Sequence, residues 1–139
     1  MRITFQTITP VVCLLLVFSF VGCAGGSKVS RSGKYEAVGV ASWYGREYHG
    51  RRTASGEKFN MNALTAAHPY LPFGTRVQIT NLDNGKRCVV KINDRFPAHK
   101  GRIIDVSRKT ARKLGFEQQG LAHVKLEAKY PEHLLSSRQ

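Results

Sequence analysis

The chain has 139 residues, 22 Lys and Arg against 9 Asp and Glu, and a formal net charge of +13; that length leaves room for one domain. So basic a balance suits nucleic acid, yet the N-terminus reads as an export signal, and export removes that partner in favour of anionic lipid headgroups and the acidic cell-wall polymer. A basic surface that is merely solvated is an equal reading of the same charge.

Arg2 precedes the apolar run Ile8 to Gly22, "ITPVVCLLLVFSFVG". The run is short for a membrane span of about 20 residues, and no basic cluster follows directly to stop transfer. Residues 1–22 are therefore expected to be a signal peptide. "FVGCAGG" resembles a bacterial lipobox, with Phe20 where such boxes usually carry Leu, and makes Cys23 the expected lipidated first residue of the mature chain. Ala24, not Asp, follows it, which implies the periplasmic face of the outer membrane in bacteria that use that sorting rule. Plain secretion or an uncleaved anchor is the alternative. With Cys13 in the signal and Cys23 acylated, only Cys88 remains, and no intramolecular disulfide is expected.

Residues 24–34, "AGGSKVSRSGK", are rich in Gly, Ser and Lys and with Cys23 form an expected flexible tether over 23–34. The domain is expected over 35–130, with 131–139 a tail. Extended runs are predicted at "YEAVGVASWYG", "ALTAAH", "TRVQIT", "RCVVKIN", "RIIDVS" and "LAHVKLEAKY", and Asn84-Gly85 signals a hairpin between the third and fourth. One helix is predicted at "RKTARKLG", capped by Ser107 and ended by Gly115. Six short strands and one small helix predict an all-β fold, a small barrel whose closure covers strand edges that so short a domain cannot otherwise protect. Alternation puts Cys88, Val90 and Ile92 inside and Arg87, Val89 and Lys91 outside, which makes Cys88 a buried filler. The same parity places Asp94 on the interior side, at the barrel mouth, and turns Arg95 the other way.

Three segments, "ASWYGREYHGRRTASGEKFN", "ALTAAHPYLPFGTRVQITNLDNGKRCVVKINDR" and "GRIIDVSRKTARKLG", together resemble the rare lipoprotein A family. Members are exported lipoproteins with a six-stranded double-psi β-barrel, and some are lytic transglycosylases of peptidoglycan. The resemblance runs from Val38 to Tyr130, with "ASWYG", "TASGE", "LPFGT", "NDR" and "RIIDVS" in the family's order. It implies catalytic roles for Glu57 of "TASGE", His68 after "LTAA" and Asp94 of "NDR", and substrate contacts from Tyr44, Thr53 and Arg95. It also implies a monomer that needs no cofactor and binds glycan strands. Phe96 stands where members usually carry Gly. The C-terminal glycan-binding domain of many members is not expected here, so division-site targeting is not carried over.

Each of these residues has a plainer role open to it. Asp94 suits a turn cap before Phe96-Pro97, Glu57 an exposed loop charge, and His68, extended before Pro69, a structural hydrogen bond. Asp105 is expected to support the fold, and Trp43 and Tyr44 could meet sugar faces, although early-strand aromatics are more often core. His49, His99, His123 and His133 have no Cys or carboxylate at metal spacing, so no metal site is expected. The expected reaction is cleavage of the β-1,4 bond between N-acetylmuramic acid and N-acetylglucosamine to give 1,6-anhydro ends. Hydrolases need two carboxylates for such a bond; when the sugar's own C6 hydroxyl attacks, one carboxyl gives a proton and then recovers one. Asp94 is assigned that role, with Glu57 and His68 positioning the sugar or tuning the proton, and the choice of acid between Glu57 and Asp94 stays open. The alternative is a non-catalytic wall-binding or expansin-like wall-loosening lipoprotein.

Overall fold

The computed structural model describes residues 28–29, 33–99 and 101–129. The expected signal peptide, Cys23, most of the tether and the tail lie outside the described residues. The strands are β1 (Lys28–Val29), β2 (Lys34–Tyr44), β3 (Thr65–Ala67), β4 (Arg76–Asn81), β5 (Arg87–Asp94), β6 (Arg102–Ser107) and β7 (Leu121–Lys129), with one helix, α1 (Arg108–Leu114). β2 to β7 coincide with the six predicted runs, and α1 with the predicted helix.

Strands β2, β6, β3, β5, β4 and β7 pair in that order, and β7 pairs back onto β2 from Lys34↔Lys129 to Ser42↔Leu121. The ring is thereby closed. β2 with β6 and β3 with β5 are parallel pairs, while the remaining ladders are antiparallel. β1 lies on the stretch of β2 that β6 leaves unpaired, with Lys28↔Glu36 and Val29↔Tyr35. Three residues of the expected tether, Lys28, Val29 and Lys34, thus join the sheet.

Alternation explains which faces meet. Along β5, Cys88, Val90 and Ile92 are buried while Arg87 and Val89 are exposed, and along β7, Ala122, Val124, Leu126 and Ala128 are buried. Each fully buried Val, Leu or Ile contributes about 1.5–3 kcal/mol, and together they fill the barrel. Burial also raises the Cys88 thiol pKa, in keeping with an inert filler.

The helix is tied to the barrel by its caps. Ser107 Oγ accepts from Thr110 N at 3.3 Å, and Gly115 ends α1 with φ +76°. The β4–β5 hairpin turns through Gly85 (φ +74°), and its Asn81 and Asn84 side chains each donate to Leu114 O at 2.9 Å. One of the carbonyls that a helix end leaves unpaired is satisfied in this way.

β5 departs from strict alternation at one point. Ala66 pairs with Ile92 and Ala67 with Asp94, so Asn93 is an extra residue, a bulge, opposite β3. Asn93 is 3% exposed although it follows the interior residue Ile92. The bulge sits directly before Asp94.

Candidate active site

Asp94 is the last residue of β5 and lines a cleft of about 260 Å³ with Tyr44, Tyr48, Ala67, Arg95, Phe96, Pro97, Arg102 and Asp105. The ends of β2, β3 and β5 converge there, as expected of a barrel mouth. The two carboxylate oxygens of Asp94 have different surroundings. Oδ1 accepts from two backbone N–H groups, Ala54 at 2.9 Å and Arg95 at 2.8 Å. Oδ2 accepts from the Tyr44 hydroxyl at 3.5 Å.

Tyr44 stacks on the buried Phe59 ring, with centroids 4.3 Å apart, and meets Tyr48 edge-on at 5.8 Å. Burial first, and then the charges of Asp94 and Asp105, push its phenol well above the ordinary tyrosine range. The hydroxyl therefore stays a donor. Arg95 lines the cleft, but its guanidinium lies 3.9 Å over the Phe73 ring and donates to the carbonyls of His68 (3.2 Å) and Asp94 (3.3 Å). The turn of Arg95 away from the Asp94 carboxylate is partial: its backbone serves Oδ1 while its side chain leaves for Phe73.

Thr53 does not present its hydroxyl to the cleft. Oγ1 donates to Glu57 O at 3.1 Å and meets Ser55 Oγ at 3.0 Å, folding the tip that offers Ala54 N–H to Asp94. Glu57 points along β5: Lys91 Nζ lies 2.8 and 3.0 Å from its two oxygens, and Asn93 Nδ2 donates at 3.2 Å. The Lys91 and Asn93 hydrogen bonds hold its carboxyl below the usual range, so Glu57 is charged near neutrality.

His68 is 1% exposed and its imidazole faces the interior. Nδ1 accepts from Tyr70 N (3.3 Å) and Leu71 N (3.0 Å), so the proton sits on Nε2, which donates to Tyr35 Oη at 3.1 Å. Burial, with Arg95 adding to it, lowers its pKa to about 4. Only its backbone touches the Asp94 region, His68 N donating to Asp94 O at 3.2 Å. The structure therefore brings Tyr44, Arg95 and Asp94 to one cleft and leaves the side chains of Thr53, Glu57 and His68 outside its lining.

Two further residues line the cleft, Asp105 and Tyr48. Asp105 accepts a hydrogen bond from Ser42 Oγ and lies 3.2 Å from Arg102 Nε, placing a second carboxylate in the cleft. Its register partner Ala67 also faces Asp94, a convergence no linear motif displays. Tyr48, 46% exposed, sits on a short 3-10 turn at Arg46–Tyr48 too brief for periodicity to mark. Trp43 packs against the core and donates Nε1 to Glu117 O at 3.2 Å. Phe96 lies under the Arg102 guanidinium at 5.2 Å. Among the described residues, no group of three His, Cys, Asp or Glu is placed to hold a metal ion.

The closed six-stranded barrel, with its parallel pairs β2–β6 and β3–β5, is a double-psi β-barrel. The family model described as lytic transglycolase matches residues 36–126, and the chain belongs to that family, as the motif resemblance implied. It is 53% identical over 98 residues to the endolytic peptidoglycan transglycosylase RlpA of Neisseria meningitidis serogroup A, covering 70% of this chain and 41% of that protein. It is 60% identical over 89 residues to a probable endolytic peptidoglycan transglycosylase RlpA of Synechocystis, covering 64% and 28%. The chain spans less than half the length of these relatives. Of solved structures, the Streptomyces papain inhibitor superposes with TM-score 0.54 and 19% identity over 68% of this chain and 94% of that one. An apo expansin of Clavibacter michiganensis does so with TM-score 0.54 and 16% identity over 67% and 50%. At such identities the likeness is one of fold.

Proposed function

We propose that this domain is a lytic transglycosylase that cleaves the N-acetylmuramic acid to N-acetylglucosamine bond of peptidoglycan, with Asp94 cycling the proton. The observation that carries the reading is the unequal lodging of the Asp94 oxygens. Backbone N–H groups can only donate, so Oδ1, which takes two of them, remains an acceptor, and the mobile proton belongs on Oδ2. In the forward step Oδ2–H protonates the glycosidic oxygen as its bond to C1 breaks. The C6 hydroxyl of the same muramic acid then bonds to C1, and Oδ2 takes up the hydroxyl proton, so no water is consumed. Tyr44 donates to Oδ2 while it is ionised, and Glu57, already charged, is not the proton donor. Relatives named as endolytic peptidoglycan transglycosylases support the choice of substrate.

Asp105 favours a second reading. Two carboxylates in one cleft suit hydrolysis, in which the second handles water. Digestion of peptide-free glycan strands in heavy-oxygen water separates the two. The lytic route gives ends lighter by one water, resistant to borohydride and unlabelled, whereas labelled ends that depend on both Asp94 and Asp105 would establish a hydrolase. Asp94→Asn should lower turnover roughly 10²–10⁴-fold with little change in melting temperature. Binding without any new ends would leave a non-catalytic wall protein.

The proposal extends to location. The "FVGCAGG" stretch supports acylation of Cys23 and a lipid-held domain in the cell envelope, at the periplasmic face of the outer membrane. Cys23→Ser should release the protein from the membrane fraction and remove the acyl mass from its N-terminal peptide; an unchanged membrane fraction would contradict the anchor.

A further inference from the structure

Glu57 closes the tip of a tight hairpin that reaches Asp94, and the contacts along that hairpin form a continuous series. Gly50 N donates to Phe59 O at 2.9 Å, Phe59 N to Arg51 O at 2.7 Å, and Thr53 N to Glu57 O at 2.8 Å. Arg52 and Lys58 bridge in antiparallel register, and the hairpin is rooted where Phe59 stacks on Tyr44. Its tip then meets the bulged end of β5. Ser55 N donates to Asn93 O at 3.3 Å, and Ala54 N to Asp94 Oδ1 at 2.9 Å.

Beyond Phe59 and these backbone bonds, a side-chain grip links the tip to the strand. Lys91 Nζ contacts both Glu57 oxygens, and Asn93 Nδ2 contacts one of them. Asn93 is nearly buried and its Oδ1 has no protein partner. A buried amide with an unmet acceptor is disfavoured against an apolar side chain of the same size, unless its N–H is needed. Here that N–H goes to Glu57.

We propose that Lys91 and Asn93 are positioning residues: by gripping the Glu57 carboxylate they hold the Ala54 N–H on Asp94 Oδ1, and so determine which Asp94 oxygen carries the mobile proton. In this arrangement Glu57 acts through the hairpin and not on the sugar. A loosened tip would free Oδ1 to take the proton, and the carboxyl would spend part of its time with the wrong oxygen protonated. The consequence falls on the chemical step and not on substrate binding. The kinetic part of the inference rests on the transglycosylase reading above; the geometric part does not.

The test is a double-mutant cycle on the exported chain with Lys91→Met, Glu57→Gln and both together, alongside Lys91→Arg. Lys91 is half-exposed, so its replacement leaves the core intact. Each single change should lower kcat about 10- to 100-fold, the scale on which misplaced catalytic groups act, with KM nearly unchanged. The double variant should be no slower than the slower single one, and Lys91→Arg should recover most of the rate. An independent readout is the amide nitrogen–proton resonance of Ala54. Asp94→Asn should move it, and Lys91→Met should move it too, without turnover being measured. An Ala54 resonance that ignores Lys91→Met would overturn the proposal. So would losses from Glu57→Gln and Lys91→Met that multiply in full, because Glu57 would then act on its own. A wild-type protein that makes no new ends would sink the transglycosylase reading and leave the Ala54 resonance to decide the grip.

Discussion

Adding a proton to His68 Nδ1 would displace the two backbone N–H groups that this nitrogen accepts from Tyr70 and Leu71. Burial of the ring first, with the Arg95 charge adding to it, keeps the folded protein from taking a proton down to a pKa of about 4, while the unfolded chain titrates at the ordinary 6.5. The direction of the pH dependence follows. Above pH 6.5 both states hold a neutral imidazole and the stabilisation is fully present. Between 6.5 and about 4 the unfolded chain binds a proton that the folded one refuses, so stability falls as pH falls, and below about 4 this contribution is spent. At 1.36 kcal/mol per pKa unit the loss is on the order of 3 kcal/mol. Thermal melts from pH 7 to pH 4 should show it, and His68→Asn, which keeps an acceptor near the Nδ1 position, should flatten the slope over that window. A slope unchanged by the variant would mean other groups set the acid sensitivity. The placement of His68 was only half legible beforehand. Pro69 marked an extended backbone, but whether the imidazole faces the cleft or the interior depends on Tyr35, which lies 33 positions away in the sequence.

At the scale of elements, the helix and the β4–β5 hairpin stabilise each other through Gly115. A Cβ there would lie 2.9 Å from Asn84 Nδ2 and 3.2 Å from Lys86 Nζ, on a backbone with φ +76°. Left-handed backbone alone disfavours a non-glycine residue by about 1–2 kcal/mol. The crowded Asn84 amide is the group that donates to Leu114 O. Gly115→Ala should therefore lower the melting temperature by roughly 4–16 °C, taking 4–8 °C per kcal/mol for a domain of this size, with turnover at low temperature preserved. An unaltered melt would show that the cap is replaceable. Helix caps and strands were readable because their signals are local: Ser107 and Gly115 bracket α1, and strands such as β4 and β7 send alternate residues inward. β1 was not, since two residues carry no period. Nor was the bulge at Asn93, because an extra residue is defined only against the spacing of a partner strand. The parity argument still carried Asp94 to the mouth, but it could not foresee that Asn93 would be buried beside Glu57 and donate to it.

For the whole molecule, six short extended runs and one small helix imply a small barrel without fixing the order of its strands. That order depends on two parallel pairs, β2–β6 and β3–β5, between segments far apart in the chain. The cleft inherits this dependence: Tyr44, Ala67, Asp94 and Asp105 come from four different strands, so motif spacing could name Asp94 and Tyr44 but could not assign Asp105 to their side. The closing ladder, which sets residue 34 beside residue 129, also bears on how the protein is made. β2 leaves the ribosome first among the barrel strands and cannot gain its β7 neighbour until almost the whole domain has followed. Closing so long a loop is entropically slow, and pairings this remote place folding among the millisecond-to-second barrels and not among the microsecond bundles. A nascent chain that has not reached residue 121 leaves one edge of β2 and one of β4 uncovered. The barrel closes only when the last strand arrives.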